Sequence, residues 1–137
     1  MRNFYLTQQT IISVKTPKAK STFTLYNSQN LNVTILDPEQ LFQETKGGRC
    51  DFVFQILNKP LELYVELKGS NIQKAIEQLG NTIRLLQSPL QPKICYIVVW
   101  QGAPPNSNTQ IQNQKLAFER RYKCRLEWKT QHGAHHL

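Results

Sequence analysis

The segment Leu61-Glu62-Leu63-Tyr64-Val65-Glu66-Leu67-Lys68 alternates apolar and polar residues without a break. A period of two is the signature of a β-strand, so Leu61, Leu63, Val65 and Leu67 take one face and Glu62, Tyr64, Glu66 and Lys68 the other. Read alone, this is a half-buried strand whose outer face meets solvent, with Glu66 and Lys68 as neighbours on it. The stretch before it, Phe52 to Leu57, is a second strand, joined to the first through Asn58-Lys59-Pro60. It sets Phe52, Phe54 and Ile56 on one face and Asp51, Val53 and Gln55 on the other. If the two strands pair, Asp51 converges on Glu66 beside Lys68.

Working outward, Asn71 to Leu86 repeats Ile72, Ala75, Ile76, Leu79, Ile83 and Leu86 at helical spacing, and Ser88-Pro89-Leu90-Gln91-Pro92 stops that helix. Ile94 to Trp100 is almost wholly apolar, which suits a strand buried on both faces. Gln101 to Thr109 reads as a loop, Gln110 to Lys123 as a second helix, and Arg125 to Lys129 as a short final strand. Toward the N-terminus, Asp37-Pro38-Glu39-Gln40 is a helix start, with Asp as N-cap and Pro at the first helical position. That helix is expected to run until Gly47-Gly48 ends it. Earlier still, Ser21 to Asn27 and Leu31 to Leu36 both alternate, and Asn27-Ser28-Gln29-Asn30 has turn chemistry, which predicts a β-hairpin. The fold class is therefore α/β, a mixed central sheet flanked by helices. Residues 1–130 form one domain, and 131–137 read as a disordered tail.

The 137 residues are enough for one core without staples, and 39% hydrophobic with 19% charged residues is an ordinary globular composition. Cys50, Cys95 and Cys124 are too few and too scattered for a disulfide framework or a zinc site. They read as reduced thiols of a cytoplasmic protein. No apolar run approaches the length of a membrane span, and the polar start is not a signal peptide, so membrane insertion and secretion are not expected. The net charge is +8, yet Asp37, Glu39, Glu44, Asp51, Glu62 and Glu66 place six of the nine acids in one thirty-residue window. A compact acidic site inside a basic chain is what a metal-dependent enzyme acting on a polyanion needs.

Asp51, Glu66 and the backbone carbonyl of Leu67 offer hard oxygen ligands of the kind Mg²⁺ takes. Mg²⁺ there would neutralise charge on a phosphodiester and lower the pKa of a bound water, and Lys68 would assist that water. No Gly-rich phosphate loop, nucleophile elbow or paired-Cys motif is present, so nucleotide hydrolysis and acyl transfer have no support.

An Asp at a strand start, then Glu-x-Lys ending the next strand, then a helix and a buried strand, resembles the PD-(D/E)xK nuclease superfamily. Asp51, Glu66 and Lys68 carry the resemblance, over roughly residues 37–100, with fourteen residues between Asp51 and Glu66. Cys50 stands where the family usually has proline. The resemblance implies a restriction-endonuclease-like αβββαβ core, here with the N-terminal hairpin added. It also implies Mg²⁺ or Mn²⁺ as cofactor and DNA, rather than RNA, as partner. Glu44, with Glu39 second, would be the acid of the first helix, and Gln78 the polar residue that the helix after the motif aims at the site. An exposed helix position is the competing reading of Gln78. Lys46, Arg49, Lys74 and Arg84 would meet phosphates, as would Arg120, Arg121 and Lys123, although each alone reads as a solvated charge. Lys15, Lys18 and Lys20 would form either a basic arm or a soluble loop. Trp100, Trp128 and Phe118 read as core. One small active site must act twice to cut both strands of a duplex, so a symmetric homodimer is the expected assembly. Two other readings remain open: a non-catalytic nucleic-acid or protein binding module of the same fold, and an unrelated α/β protein with a coincidental strand pattern.

Overall fold

The computed structural model describes residues 4–68, 71–101 and 109–137. The predicted loop after Trp100 falls almost wholly on 102–108, outside the described residues. In chain order the elements are β1 (Phe4–Thr7), β2 (Ile11–Val14), β3 (Thr22–Tyr26), β4 (Val33–Leu36), α1 (Pro38–Leu41), β5 (Phe52–Ile56), β6 (Leu61–Lys68), α2 (Ile72–Leu86), β7 (Lys93–Val99), α3 (Thr109–Tyr122), β8 (Cys124–Thr130) and β9 (His132–His136). Six strands form one sheet in the order β1-β4-β5-β6-β7-β8, and β2, β3 and β9 form a second. The large sheet is mixed: β1, β4, β5 and β6 pair antiparallel, while β6, β7 and β8 pair parallel.

β6 is the centre of the molecule, and its outer face does not meet solvent. Leu61, Leu63, Val65 and Leu67 pack with Ile12, Val14, Phe23 and Leu25 of the small sheet. On the other face Tyr64 packs with Ala75, Leu79 and Ile83 of α2. The large sheet is thus the middle of three layers, which overturns the solvated face expected for Glu62, Tyr64 and Glu66: all three are buried. β7 is likewise buried on both faces, as its composition predicts.

Burial of Glu62 is tolerated because every need of its carboxylate is met. Lys93 Nζ stands 2.9 Å from Oε1, Tyr64 donates its hydroxyl proton to the same oxygen, and Gln55 Nε2 donates to Oε2. Lys93 also donates to the carbonyls of Ser88 and Leu90. A buried pair with its remaining donors and acceptors satisfied is a structural element of the core.

Four expectations need correction. The segments around Asn27-Ser28-Gln29-Asn30 do not pair as a hairpin. The turn exists, with Asn30 N–H donating to the Asn27 carbonyl, but β3 joins the small sheet and β4 the large one. Phe23 and Leu25 therefore meet Val33 and Ile35 across the core between layers instead of beside them within a sheet. α1 stops at Leu41, well before the glycines. Gly47 (φ +97°) and Gly48 instead let the chain lie against α2, where a Cβ on Gly48 would sit 2.8 Å from Gln78 Cγ. Only two strands separate α1 from α2, so the αβββαβ order is not reproduced; the third antiparallel neighbour, β4, precedes α1. Finally, 132–136 is no tail, and the domain extends past 130. β9 pairs parallel with β3, because backbone groups at that edge are satisfied and Gly133 lets β9 lie close to β7. A Cβ on Gly133 would meet Val98 Cγ2 at 2.8 Å and Phe23 Cδ1 at 3.1 Å. Gly133→Val is accordingly expected to destabilise the fold by about 1–3 kcal/mol in urea denaturation. A neutral result would mean that β9 is not docked on the core.

Candidate functional site

The strand pairing itself assembles the acidic site. β5 and β6 are in register as Phe52↔Val65, and the ladder continues one step further, where Asp51 N–H donates to the Val65 carbonyl at 3.1 Å. Asp51 is thereby held beside Glu66. Cys50 N–H donates to Thr82 Oγ1 at 2.8 Å, and that hydroxyl donates to the Gln78 carbonyl, so α2 anchors the entry to β5. Asp51 Oδ2 accepts from Leu67 N–H at 2.8 Å. Along a strand, N–H and C=O of one residue point to the same side, so the Leu67 carbonyl is directed toward Asp51. The Lys68 carbonyl faces the other way and accepts from Trp100 N–H at 2.9 Å.

Lys68 Nζ lies 3.1 Å from Glu66 Oε2. Glu66 is 2% exposed, and its Oε1 is buried without a hydrogen bond. Burial, followed by the like charge of Asp51, pushes the Glu66 carboxyl up to about 8, against the opposing pull of Lys68. Burial also raises Asp51, while the Leu67 N–H, a hydrogen bond shared with the Glu66 carboxyl and the charge of Lys68 hold it down. Two carboxyls crowded together out of water, one of them poised near neutrality, form a site that is stabilised by gaining a cation.

Gln78 is half-buried and not the exposed helix residue of the competing reading. Its Nε2 donates to the Arg49 carbonyl, and its Oε1 is a second buried oxygen without a partner. Asp51, Glu66, Leu67 and Gln78 line one cleft, and the donors they can offer there are all oxygen. Among the described residues no group of three or more His, Cys, Asp or Glu side chains is placed to hold a metal. Mg²⁺ commonly binds through one or two carboxylates and completes its shell with water and substrate phosphate. The orphaned oxygens and the hard donors fit that ion.

These groups line a cleft of about 1060 Å³. Besides Asp51, Glu66, Leu67, Lys68 and Gln78, the lining includes Asp37 and Glu39 at the start of α1, the loop Lys15–Lys20, and Trp100. Glu44 is exposed and does not line the cleft, because the chain turns away from the site after α1. Asp37 is the nearer acid. It fills the N-cap role expected of it by accepting from Gln40 N–H, and its charge also raises Asp51. Glu39 is tied to Arg49 at 3.0 Å.

The proposed phosphate contacts scatter. Arg49 is buried, with its guanidinium donating to Glu39 and to the carbonyls of Thr45 and Gly47, so it braces the loop before β5 and is not presented to a ligand. Lys46 and Lys74 are exposed but do not line the cleft. Arg84 bonds to Tyr122 and Asn81 in a separate hollow between α2 and α3. The cations that do reach the cleft from outside the motif are Lys15, Lys18 and Lys20, which the spacing of the sequence could not bring near Asp51. Trp100 is half-buried at the cleft and not a core residue, whereas Phe118 is core.

Comparison of the chain with protein-family models, curated proteins and solved structures gives no match. No helix among the described residues is long and apolar enough to cross a membrane. Fold and geometry define a mixed α/β domain with a mixed sheet, three helices among the described residues, and a cleft lined by paired carboxyls.

Proposed function

We propose that this chain is a Mg²⁺-dependent nuclease (Mn²⁺ substituting) of the PD-(D/E)xK type, which hydrolyses phosphodiester bonds in DNA. The observation that carries the reading is the meeting of Asp51, Glu66 and Lys68 at adjacent strand ends, with Glu66 Oε1 buried and unpartnered. The α1-β5-β6-α2-β7 run keeps the two motif strands followed by a helix and a buried strand, although the full αβββαβ order is not met.

Asp51 and Glu66 would hold the ion, with the Leu67 carbonyl and Gln78 Oε1 as neighbouring donors. When bound, Mg²⁺ neutralises charge on the phosphodiester and lowers the pKa of a coordinated water. Lys68 Nζ, held beside Glu66, would stabilise the hydroxide formed from a nucleophilic water or, as the neutral amine, take the proton that this water loses. The Leu67 N–H orients Asp51, and burial of Glu66 excludes competing solvent from the floor.

The test is incubation with plasmid, single-stranded DNA, branched DNA and RNA in Mg²⁺ or EDTA, comparing the parent with Asp51→Ala. Cleavage that needs both the metal and Asp51 is expected. A parent that neither cuts any of these nor binds Mg²⁺ or Mn²⁺ by calorimetry is instead a binding module, a reading favoured by the want of a third acidic ligand among the described residues. Sedimentation with and without DNA tests the proposed homodimer.

A further inference from the structure

Two further elements line the cleft that holds the site. One is the Lys15–Lys20 loop, whose Lys15, Lys18 and Lys20 are all exposed. This loop is braced at its base: Ala19 N–H donates to the Thr16 carbonyl, Ala19 packs on the core, and buried Ser21 Oγ donates to the Val98 carbonyl. The other is Trp100, whose backbone N–H donates to the Lys68 carbonyl at the end of β6. The acidic floor is recessed, with Glu66 2% exposed.

From this arrangement we infer that the cleft takes a single strand of nucleic acid, its phosphates against Lys15, Lys18 and Lys20 and an unpaired base stacked on Trp100, delivering one phosphodiester to Asp51 and Glu66. The inference rests on the nuclease reading for its last step and on the cleft alone for the rest. A cationic track combined with an aromatic platform is how proteins bind single strands, since every base offers a π-face. A duplex keeps its bases stacked on each other, so it could use the lysines but not the indole. The sugar is left open, because stacking and phosphate contacts are shared by DNA and RNA.

Fluorescence anisotropy without divalent metal, using labelled oligo(dU), oligo(U) and a hairpin duplex of equal charge, tests it. Both single strands are expected to bind the parent at least tenfold more tightly than the duplex, and any difference between them identifies the sugar preferred. Trp100→Ala is expected to weaken single-strand binding about five- to a hundredfold, with Trp100→Phe largely restoring it. Replacing all three lysines with alanine should reduce the salt slope by about two, at about 0.7 for each lost contact with a single strand. Thermal melting separates misfolded variants from weak binders. Equal or tighter duplex binding, or an indifferent Trp100→Ala, overturns the inference. Duplex-only cleavage overturns it while leaving the nuclease reading intact; tight single-strand binding with no cleavage does the reverse.

Discussion

Lys68→Ala is expected to lower Mg²⁺-dependent cleavage by about 10²–10⁴-fold, the usual contribution of one positioned acid–base group. Its side chain is 21% exposed and pairs with Glu66, so removing it leaves the packed face of β6 intact. Melting temperature and the affinity for uncut nucleic acid should change little by comparison. The loss should fall on kcat and not on KM, because Lys68 acts on the water and not on the binding walls. Lys68→Arg tests the role more finely: it keeps the charge beside Glu66 but holds its proton too tightly to exchange it. Full activity in Lys68→Ala would remove this residue from the chemistry and leave only an electrostatic partner for Glu66.

Glu66→Gln should produce the second large effect, opposite in sign for stability and for metal binding. A carboxyl raised to about 8 binds its proton more tightly when folded than when unfolded. Between its ordinary value and about 8 the unfolded chain therefore holds fewer protons, and stability falls as pH rises through this window. The metal-free parent should lose several degrees of melting temperature between pH 5 and pH 9. Glu66→Gln, neutral and nearly isosteric, should match the parent at pH 5 and exceed it by roughly 5 °C at pH 9. Mg²⁺ supplies the missing positive charge to the parent, so adding it should raise the parent's melting temperature more at pH 8 than at pH 6. The variant should not respond. A parent whose stability is flat with pH and indifferent to Mg²⁺ would contradict the crowding of Asp51 and Glu66.

Much of this site is legible in the sequence. Strict alternation from Leu61 to Lys68 identifies a strand, and a short linker back to Phe52 dictates an antiparallel partner, so the placement of Asp51 opposite Glu66 follows from period and proximity alone. Asn71 as N-cap and the apolar stripe of α2 are local signals of the same kind. Glu44 was misplaced for an equally local reason: nothing in the sequence marks where a one-turn helix stops, and the turn after Leu41 carries the acid away.

What the sequence determines by itself is everything set by the backbone's own repeat: which segments are strands or helices, and which side chains share a face. Tertiary structure alone decided which layer each strand joined. β3 and β4 carry the same alternation, yet they lie in different sheets because each buries its apolar face from an opposite side of one core. β9 is a strand only because β3 offers it an edge and Gly133 lets it approach Val98 and Phe23. The same long-range packing drew Lys15, Lys18, Lys20 and Trp100 around the carboxyls, and it buried Glu66 deeply enough to hold a proton near neutral pH. Periodicity is a property of neighbours along the chain, whereas burial and charge crowding belong to neighbours in space.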